Sequence, residues 1–351
     1  MLPQLNIISS NATIKDAINL LNTVGQSGAV LYVISEGNYA LIGTLTDGDI
    51  RRGILNNIDV GQSPEAVCNK DYFWVEFSQN WIQDDVLKKA QAKGIKHIPL
   101  LHSDRTLVKI IDLSVYKSFL PLDAVIMAGG QGTRLRPLTL TTPKPLLKVG
   151  SKPIIEHNVD RLKSFGIQHI TISINYLGDQ LVTYFGDGTK KDLKINYVEE
   201  NKPLGTIGAL GLIGNYENDN LLIMNSDLLT TINFEDIYDE FIETKADMIV
   251  ATTTYEVKIP YGVVETDGNE VISLAEKPTY TYYSNAGIYI IKKELVDLIP
   301  KNEHFNATDL MEKLFQMKKK VVNYPILDYW LDIGKHHDYE KAQKDIKHLE
   351  L

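Results

Sequence analysis

A short apolar run that opens directly into glycines constrains this chain more than any other feature. Residues 124–128 read AVIMA, and three glycines follow within four positions, Gly129, Gly130 and Gly132. This pattern predicts a buried strand that ends in a loop of bare backbone. Such a loop can direct several N–H groups at one anion. The alternative is a simple strand-to-loop turn in which glycine serves only the backbone angles.

Two cations follow the glycines and favour the anion-binding interpretation. Arg134 and Lys144 supply fixed positive charge, and prolines at positions 137, 143 and 145 restrict the segment that carries them. The spacing is neither the P-loop pattern, which needs Gly-Lys-Ser/Thr, nor the dinucleotide pattern, whose third glycine comes later. We therefore predict a nucleoside triphosphate as the anion.

The segment AGGQGTRLRPL, followed by PKP, resembles the signature of the sugar-1-phosphate nucleotidyltransferases, also called nucleotide-sugar pyrophosphorylases. The resemblance implies an α/β fold, a Rossmann-like nucleotidyltransferase domain with a mixed, mostly parallel sheet. It implies catalytic roles for Arg134 and Lys144. It also implies that the nucleotide is bound by Ala128, Gly129, Gly130, Gly132 and Thr133.

Length and composition exclude several other classes of protein. The 351 residues suffice for two domains, and the net charge of -9 argues against a nucleic-acid surface. The single cysteine, Cys68, excludes an intramolecular disulfide and a cysteine-rich metal site. Neither a signal peptide nor an apolar run of about 18 residues is present, so we expect a soluble cytoplasmic protein without a membrane partner.

Residues 1–120 contain a weak internal repeat, with boundaries at about 1–60 and 61–120. Ile14 and Asp16 recur as Ile82 and Asp84, each at the start of a helical pattern. Each copy predicts helix, strand, strand and helix, an order that resembles a pair of CBS domains. CBS pairs often bind adenosine nucleotides between the two copies. The predicted elements are a helix from Ile14, strands at 29–34 and 40–45, a helix at 47–55, a helix at 86–92, strands at 98–101 and 108–111, and a helix ending at Leu120.

The CBS resemblance is most specific at GTLTDGDIRRG, residues 43–53. In nucleotide-binding CBS domains a threonine and an aspartate three residues later face the ribose, which implies a regulatory adenosine or guanosine nucleotide at Thr46 and Asp49. A helix cap formed by the same residues is an equal alternative. The second copy has different residues at the matching positions, so we expect at most one such site. The pair could instead serve as a dimerisation device, and we expect a homodimer.

Residues 121–351 alternate strands and helices, which predicts a mostly parallel sheet with a ligand beyond the carboxyl ends of its strands. A helix is expected after Gly205. The segment ENKPLGTIGAL, residues 200–210, matches the nucleotidyltransferases again, and Gly205 would let the backbone approach the base. Thr206 is suited to capping the helix that follows.

Glu200 bears on the choice of nucleotide. Thymidylyl and uridylyl relatives typically carry glutamine here, whereas a carboxylate only accepts hydrogen bonds. Guanine offers two adjacent donors, so Glu200 favours GTP, with a mismatch costing about 1–3 kcal/mol. A solvated Glu200 without a role is the alternative.

Two aspartates follow apolar or aromatic strands, Asp227 after LLIMNS and Asp332 in YWLDIGK. Each could cap a turn or hold a metal, and the resemblance implies that together they bind Mg²⁺. It further implies that Lys277 contacts the sugar phosphate, although a solvated lysine is the alternative. By the same resemblance the sugar is bound by Gly262, Glu276, Asn285 and Gly287.

These residues predict nucleotidyl transfer from a nucleoside triphosphate to a sugar 1-phosphate, with release of pyrophosphate. The fusion to a CBS pair looks most like the glucosamine-1-phosphate guanylyltransferases of legionaminic acid biosynthesis. Mannose- or heptose-1-phosphate guanylyl transfer is the nearest alternative, followed by thymidylyl or uridylyl transfer. An alternative of another class is a catalytically inactive, adenylate-sensing regulatory protein.

Overall fold

The chain forms two units, Met1–Phe119 and Leu120–Leu351. The computed structural model describes residues 6–24, 29–77, 89–90 and 92–349. Within these ranges, no helix combines the length and the apolar character needed to cross a bilayer.

The first unit begins with the predicted helix and strands of the first repeat. Strands β1 to β3 form one sheet in the order β1-β2-β3. Helix α1 buries Ile14 and Ala17 in a core that also contains Leu31, Val33 and Ile50. The bounds are β1 Ile7–Ser9, α1 Ile14–Val24, β2 Leu31–Ile34, β3 Leu41–Leu45 and α2 Asp47–Leu55.

The second repeat forms another three-stranded sheet, from β4 Val75–Glu76, β5 His97–Leu101 and β6 Leu107–Asp112. The helix predicted at 86–92 falls largely outside the described residues. The predicted helix ending at Leu120 is wrong, because only a 3₁₀ turn, Leu113–Val115, is present. Pro121 disfavours the helical conformation of the residue before it, and Tyr116 and Phe119 are instead buried against the second sheet.

The second unit is built on a seven-stranded sheet with the order β11-β10-β7-β12-β17-β14-β18. Only β17 runs antiparallel to its neighbours, which confirms the predicted mixed, mostly parallel sheet. Its strands are β7 Leu122–Met127, β10 His169–Ile174, β11 Lys194–Glu199, β12 Asn220–Asn225, β14 Met248–Lys258, β17 Thr279–Lys292 and β18 Val321–Pro325.

Apolar residues cover both faces of this sheet, because successive residues of a strand point to opposite sides. Ala124 and Ile126 of β7 enter the core on one face, and Val125 enters the core on the other. The helices are α3 Ile154–Ser164, α4 Gly178–Phe185, α5 Phe234–Glu243, α6 Ala307–Gln316 and α7 His336–Asp345.

The helix predicted after Gly205 is a short 3₁₀ helix, Gly208–Leu212, and not an α-helix. Glycines at 208 and 211 weaken helix formation, and Ile207 N–H is already bonded to the Phe305 carbonyl at 3.2 Å.

Three two-stranded ribbons complete the second unit. Asp332 is the last residue of β19 and Asp227 directly precedes β13 in one of these ribbons, whereas the side chains of β15 and β16 are almost all exposed. The ribbons are β8 Lys148–Val149 with β9 Lys152–Pro153, β13 Leu228–Thr230 with β19 Trp330–Asp332, and β15 Val263–Asp267 with β16 Glu270–Ala275.

Candidate active site

The glycine loop follows β7 at the carboxyl end of the parallel strands, as its sequence predicts. Ala128 N–H donates to the Ser173 carbonyl of β10 at 3.0 Å and continues the ladder one residue beyond β7. Gly132 is left-handed, with φ +60°, and a Cβ there would lie 2.9 Å from Lys144 Cβ. The Thr139 hydroxyl donates to the Gly132 carbonyl at 2.8 Å. Only glycine therefore allows the loop to pack against the segment that carries Lys144.

Glu200 lies directly beside the loop and is buried, so it is not a solvated surface carboxylate. The Ser173 hydroxyl donates to one of its oxygens, and Leu204 N–H donates to the other at 3.1 Å. A Cβ on Gly129 would lie 2.7 Å from Glu200 Oε1. Glycine at position 129 therefore leaves the space that the Glu200 carboxylate occupies.

The loop that contains Phe305 packs against the segment around Gly205. Phe305 N–H donates to the Leu204 carbonyl at 2.8 Å, and Gly205, with φ +82°, leaves no space for a Cβ, which would lie 2.7 Å from the Phe305 carbonyl oxygen. Thr206 does not cap the element that follows it. Its hydroxyl accepts from Ala307 N–H at 2.8 Å, at the start of α6.

The two aspartates meet because β13 pairs with β19. Leu228 is the partner of Asp332, and Ile333 N–H donates to the Asp227 carbonyl at 3.1 Å. The buried Lys144 side chain reaches the same place, where its Nζ donates to Asp227 Oδ2 and lies 4.0 Å from Asp332 Oδ1. The structure therefore brings together Lys144, Asp227 and Asp332.

Burial raises the pKa of the Asp332 carboxyl, and the negative charge of Asp227 raises it further, while Lys144 and Arg134 act in the opposite direction. Asp332 Oδ1 is buried without a hydrogen-bond partner. An unsatisfied carboxylate oxygen beside a second carboxylate suits a divalent cation. The described residues contain no group of three or more histidine, cysteine, aspartate or glutamate side chains placed so that they could hold a metal ion. Two carboxylates still fit Mg²⁺, which usually takes one or two carboxylates together with substrate phosphates and water.

A cavity of about 300 Å³ is lined by the glycine loop, the segment around Gly205, Lys144 and Asp227, whereas Asp332 is not in its wall. Sequence reasoning missed Asn225, Ser226 and His304 in its wall. His304 comes from the loop before α6, about a hundred residues from Thr206, so no local pattern signals it. The predicted residues in the wall are Gly129, Gly130, Lys144, Glu200, Gly205 and Asp227.

The other predicted nucleotide and catalytic residues lie around this cavity and not in its wall. Ala128 and Gly132 shape the loop, while Thr133 and Arg134 are exposed. Arg134 is close to Asp332, since a Cβ on Gly334 would lie 3.5 Å from Arg134 Nη1 and 3.5 Å from Asp332 Oδ2.

The predicted sugar-binding residues are not brought into the same cavity wall. Gly262 and Glu276 are neighbours, with 3.0 Å between a Cβ on Gly262 and Glu276 Oε2, but both are exposed, as is Lys277. Asn285 Oδ1 accepts from Gly287 N–H at 2.9 Å and lines a different cavity of about 450 Å³. Gly287 lies beside the cavity of about 300 Å³, because it packs against the side chain of Asn225, which lines that cavity.

In the first unit, Thr46 and Asp49 form a capping box at the start of α2. Thr46 N–H donates to Asp49 Oδ2 at 2.8 Å, Asp49 N–H donates to the Thr46 hydroxyl oxygen at 3.2 Å, and Arg52 pairs with Asp49 at 2.5 Å. Thr46 also lines a cavity of about 390 Å³, whereas Asp49 does not. The buried Tyr32 in that wall has a hydroxyl without a partner, and burial raises its pKa.

Comparison with known families agrees with this architecture. The nucleotidyl transferase family model matches residues 123–348, and the CBS domain model matches residues 1–56. The chain therefore belongs to the nucleotidyl transferase family and carries a CBS match at its N-terminal side.

The individual relatives are enzymes that are named for the sugar phosphates on which they act. The chain is 31% identical over 231 residues to a mannose-1-phosphate guanylyltransferase of Mycobacterium tuberculosis. It is 32% identical over 230 residues to the D-glycero-alpha-D-manno-heptose 1-phosphate guanylyltransferase of Aneurinibacillus thermoaerophilus. The first match covers 64% of this chain and 64% of the relative, less than two thirds of its length, and the second covers 65% and 99%.

A crystal structure described as a glucose-1-phosphate thymidylyltransferase from Bacillus anthracis aligns with a TM-score of 0.53 at 26% identity. The alignment covers 66% of this chain and 97% of that protein.

Proposed function

We propose that the chain transfers a nucleotidyl group from a nucleoside triphosphate to a sugar 1-phosphate and releases pyrophosphate. The observation that carries the proposal is the buried Lys144 between Asp227 and Asp332, in contact with the cavity that the glycine loop lines. Phosphoryl transfer requires a cation, carboxylates and free backbone N–H groups, and all three occur at this edge of the sheet.

The reaction needs alignment and charge neutralisation more than acid–base chemistry, because the attacking sugar phosphate is already anionic. The loop amides and Arg134 hold the leaving pyrophosphate, and Lys144 adds its charge nearby. Lys277 directs the attacking phosphate. Asp227 and Asp332 would hold Mg²⁺, which would further neutralise the phosphate charge.

GTP is the proposed nucleotide. Glu200 supports this choice because its buried carboxylate lines the cavity and can accept hydrogen bonds from the N1–H and the exocyclic amine of guanine. The two sequence relatives named above are guanylyltransferases, which agrees with the choice. In this proposal Gly129, Gly130 and Gly205 contact the nucleotide from the cavity wall, Thr133 contacts it from outside the wall, and Ala128 and Gly132 shape the loop.

Glucosamine 1-phosphate is the proposed sugar substrate, as in the guanylyltransferases of legionaminic acid biosynthesis that the sequence resembles. Mannose 1-phosphate and heptose 1-phosphate are the second candidates, because the relatives are named for them. Gly262, Glu276, Asn285 and Gly287 would bind the sugar hydroxyls.

The test is a matrix of four nucleoside triphosphates against these three sugar 1-phosphates and glucose 1-phosphate, read by pyrophosphate release. The expected maximum is GTP with glucosamine 1-phosphate. A maximum elsewhere in the matrix retains the reaction and replaces the substrate. No release with any pair, at millimolar Mg²⁺, contradicts the reaction and favours the inactive regulatory protein.

We also propose that an adenosine or guanosine nucleotide binds in the cavity lined by Tyr32 and Thr46 and regulates the enzyme. The unpartnered Tyr32 hydroxyl supports this proposal, since a buried donor without a partner is costly. Calorimetry on the full chain should detect AMP or GMP binding that Tyr32→Phe weakens. Equal binding by the variant, or none by the wild type, contradicts it.

A further inference from the structure

Helix α3 carries three buried polar side chains, His157, Asn158 and Arg161. Burying a polar side chain is unfavourable unless it is hydrogen-bonded, and each of the three contacts a backbone carbonyl outside the helix. His157 Nε2 lies 2.9 Å from the Val149 oxygen, Asn158 Nδ2 donates to the Leu228 oxygen at 2.9 Å, and Arg161 donates to the Ile232 oxygen.

The hydrogen bond from Asn158 to the Leu228 carbonyl lies next to both Asp227 and Asp332. Leu228 directly follows Asp227 and is the ladder partner of Asp332. Asn158 is 1% exposed and does not line the nucleotide cavity, so it cannot touch a substrate there. Any effect it has on the reaction must pass through the ribbon of β13 and β19.

The ribbon needs such an anchor because the two carboxylates repel each other. Their common cation in this structure, Lys144, comes from a third segment and on a flexible stem. The Asn158 side chain has few rotatable bonds and joins the ribbon to a helix that packs in the main core. Metal-binding groups must be held within about 0.5 Å of their working positions.

We infer that Asn158 is a positioning residue, which through the Leu228 carbonyl holds Asp227 and Asp332 at the separation that a divalent cation requires. The inference rests on the proposed role of those two aspartates. It differs from a purely structural role, which would lower the stability of the fold without changing its affinity for a cation.

Mn²⁺ binding to the full chain with GTP and without sugar phosphate, followed by electron paramagnetic resonance, separates the two roles without turnover. Asn158→Leu keeps the side-chain volume and removes the donor. Its Mn²⁺ dissociation constant should rise about 10- to 100-fold, the range measured when the partners of metal ligands are removed. The KM for the sugar phosphate should change less than twofold.

His157→Leu is the matched control, because it removes a buried contact of the same helix to a segment without either aspartate. It should lower the melting temperature by a similar amount and leave Mn²⁺ affinity within twofold of wild type. If Asn158→Leu does not fold, Asn158→Ser takes its place, since it shortens the donor and is less apolar.

Wild-type Mn²⁺ affinity in the folded Asn158 variant, or equal losses in the two variants, overturns the inference. Asp227→Asn distinguishes this outcome from failure of the proposed function. If Asp227→Asn leaves Mn²⁺ affinity unchanged, the proposed metal site itself is wrong. If it weakens Mn²⁺ binding and Asn158→Leu does not, only the role of Asn158 is wrong.

Discussion

Leu228 and Asp332 are direct partners in an antiparallel ribbon, although more than a hundred residues separate them in the chain. The pairing places Asp227, one residue before β13, beside the last residue of β19. Lys144 then reaches both carboxylates from the segment after the glycine loop. The chemistry proposed for this protein depends on that one pairing more than on any local motif.

Replacing Asp332 with asparagine should lower turnover about 100-fold or more, because a carboxylate is lost from the proposed Mg²⁺ site. Thermal stability should be kept or increased, since burial and the Asp227 charge both raise the pKa of the Asp332 carboxyl and disfavour its ionised form. Pyrophosphate release and a thermal melt measure the two effects. Asp297→Asn, at an exposed aspartate in the 3₁₀ helix Lys293–Leu298, is the control. Near-normal turnover of the Asp332 variant would remove Asp332 from the site.

Alanine at Gly129 should destabilise the protein, whereas alanine at Gly130 should not. The new Cβ at position 129 meets Glu200 Oε1 at 2.7 Å, while the Cβ at position 130 meets nothing within 4 Å. Glu200 cannot move freely because Ser173 and Leu204 hold its two oxygens. Overpacking of this kind costs about 1–3 kcal/mol, which urea unfolding of the two variants would measure. Equal stability of both variants contradicts the packing of Glu200 against the loop.

Glu200→Gln should relax the choice of nucleotide. Glutamine keeps one acceptor for Leu204 N–H, and the Ser173 hydroxyl can turn to accept from the new amide, so the fold is retained. The ratio of kcat/KM for GTP to kcat/KM for UTP or dTTP should fall roughly tenfold to hundredfold. An unchanged ratio, in a variant whose melting temperature is also unchanged, would assign Glu200 to packing alone.

The free energy of unfolding should depend on pH, in part through the carboxyl group of Asp123. Burial acts to raise the pKa of its carboxyl, but hydrogen bonds from His169, Asn218 and Glu217 outweigh burial and lower the pKa. A lowered pKa in the folded state stabilises the protein above the unfolded value of about 3.9, and this contribution is lost as the pH falls through the folded pKa.

Urea unfolding of wild type and Asp123→Asn at pH 7, 4 and 3 measures this contribution. The wild type should be the more stable at pH 7, by nearly the same margin at pH 4, and by a smaller margin at pH 3. A difference that grows as the pH falls would mean that the carboxyl has a raised pKa.

The sequence was sufficient for elements whose determinants are local. The apolar run into glycines predicts β7 and its loop, and alternating apolar segments predict the parallel part of the sheet. It was insufficient where a residue's partner is distant in the chain. Thr206 looks like the cap of the next helix, yet its hydroxyl accepts from Ala307 N–H, 101 residues further along the chain.

Burial of polar side chains was equally hidden from sequence reasoning. A solvated carboxylate was the alternative to base recognition for Glu200, and Asn158 was not among the predicted site residues. Both are buried because Ser173, Leu204 and Leu228 offer them hydrogen bonds. These hydrogen-bond partners can be recognised only once the order of the strands in the sheet is known, because sequence spacing does not reveal which residues are neighbours.

Because of the ribbon of β13 and β19, loss of enzyme activity and unfolding of the protein can occur at different urea concentrations. Helix α7 and most of β19 pack on a small cluster around Leu135, Leu229 and Ile333, while Trp330 of β19 packs against the main core. If this cluster opens first in urea, Asp332 leaves the site while the seven-stranded sheet is still intact. Enzyme activity then reports on a local opening equilibrium, and circular dichroism reports on the cooperative unfolding of the sheet.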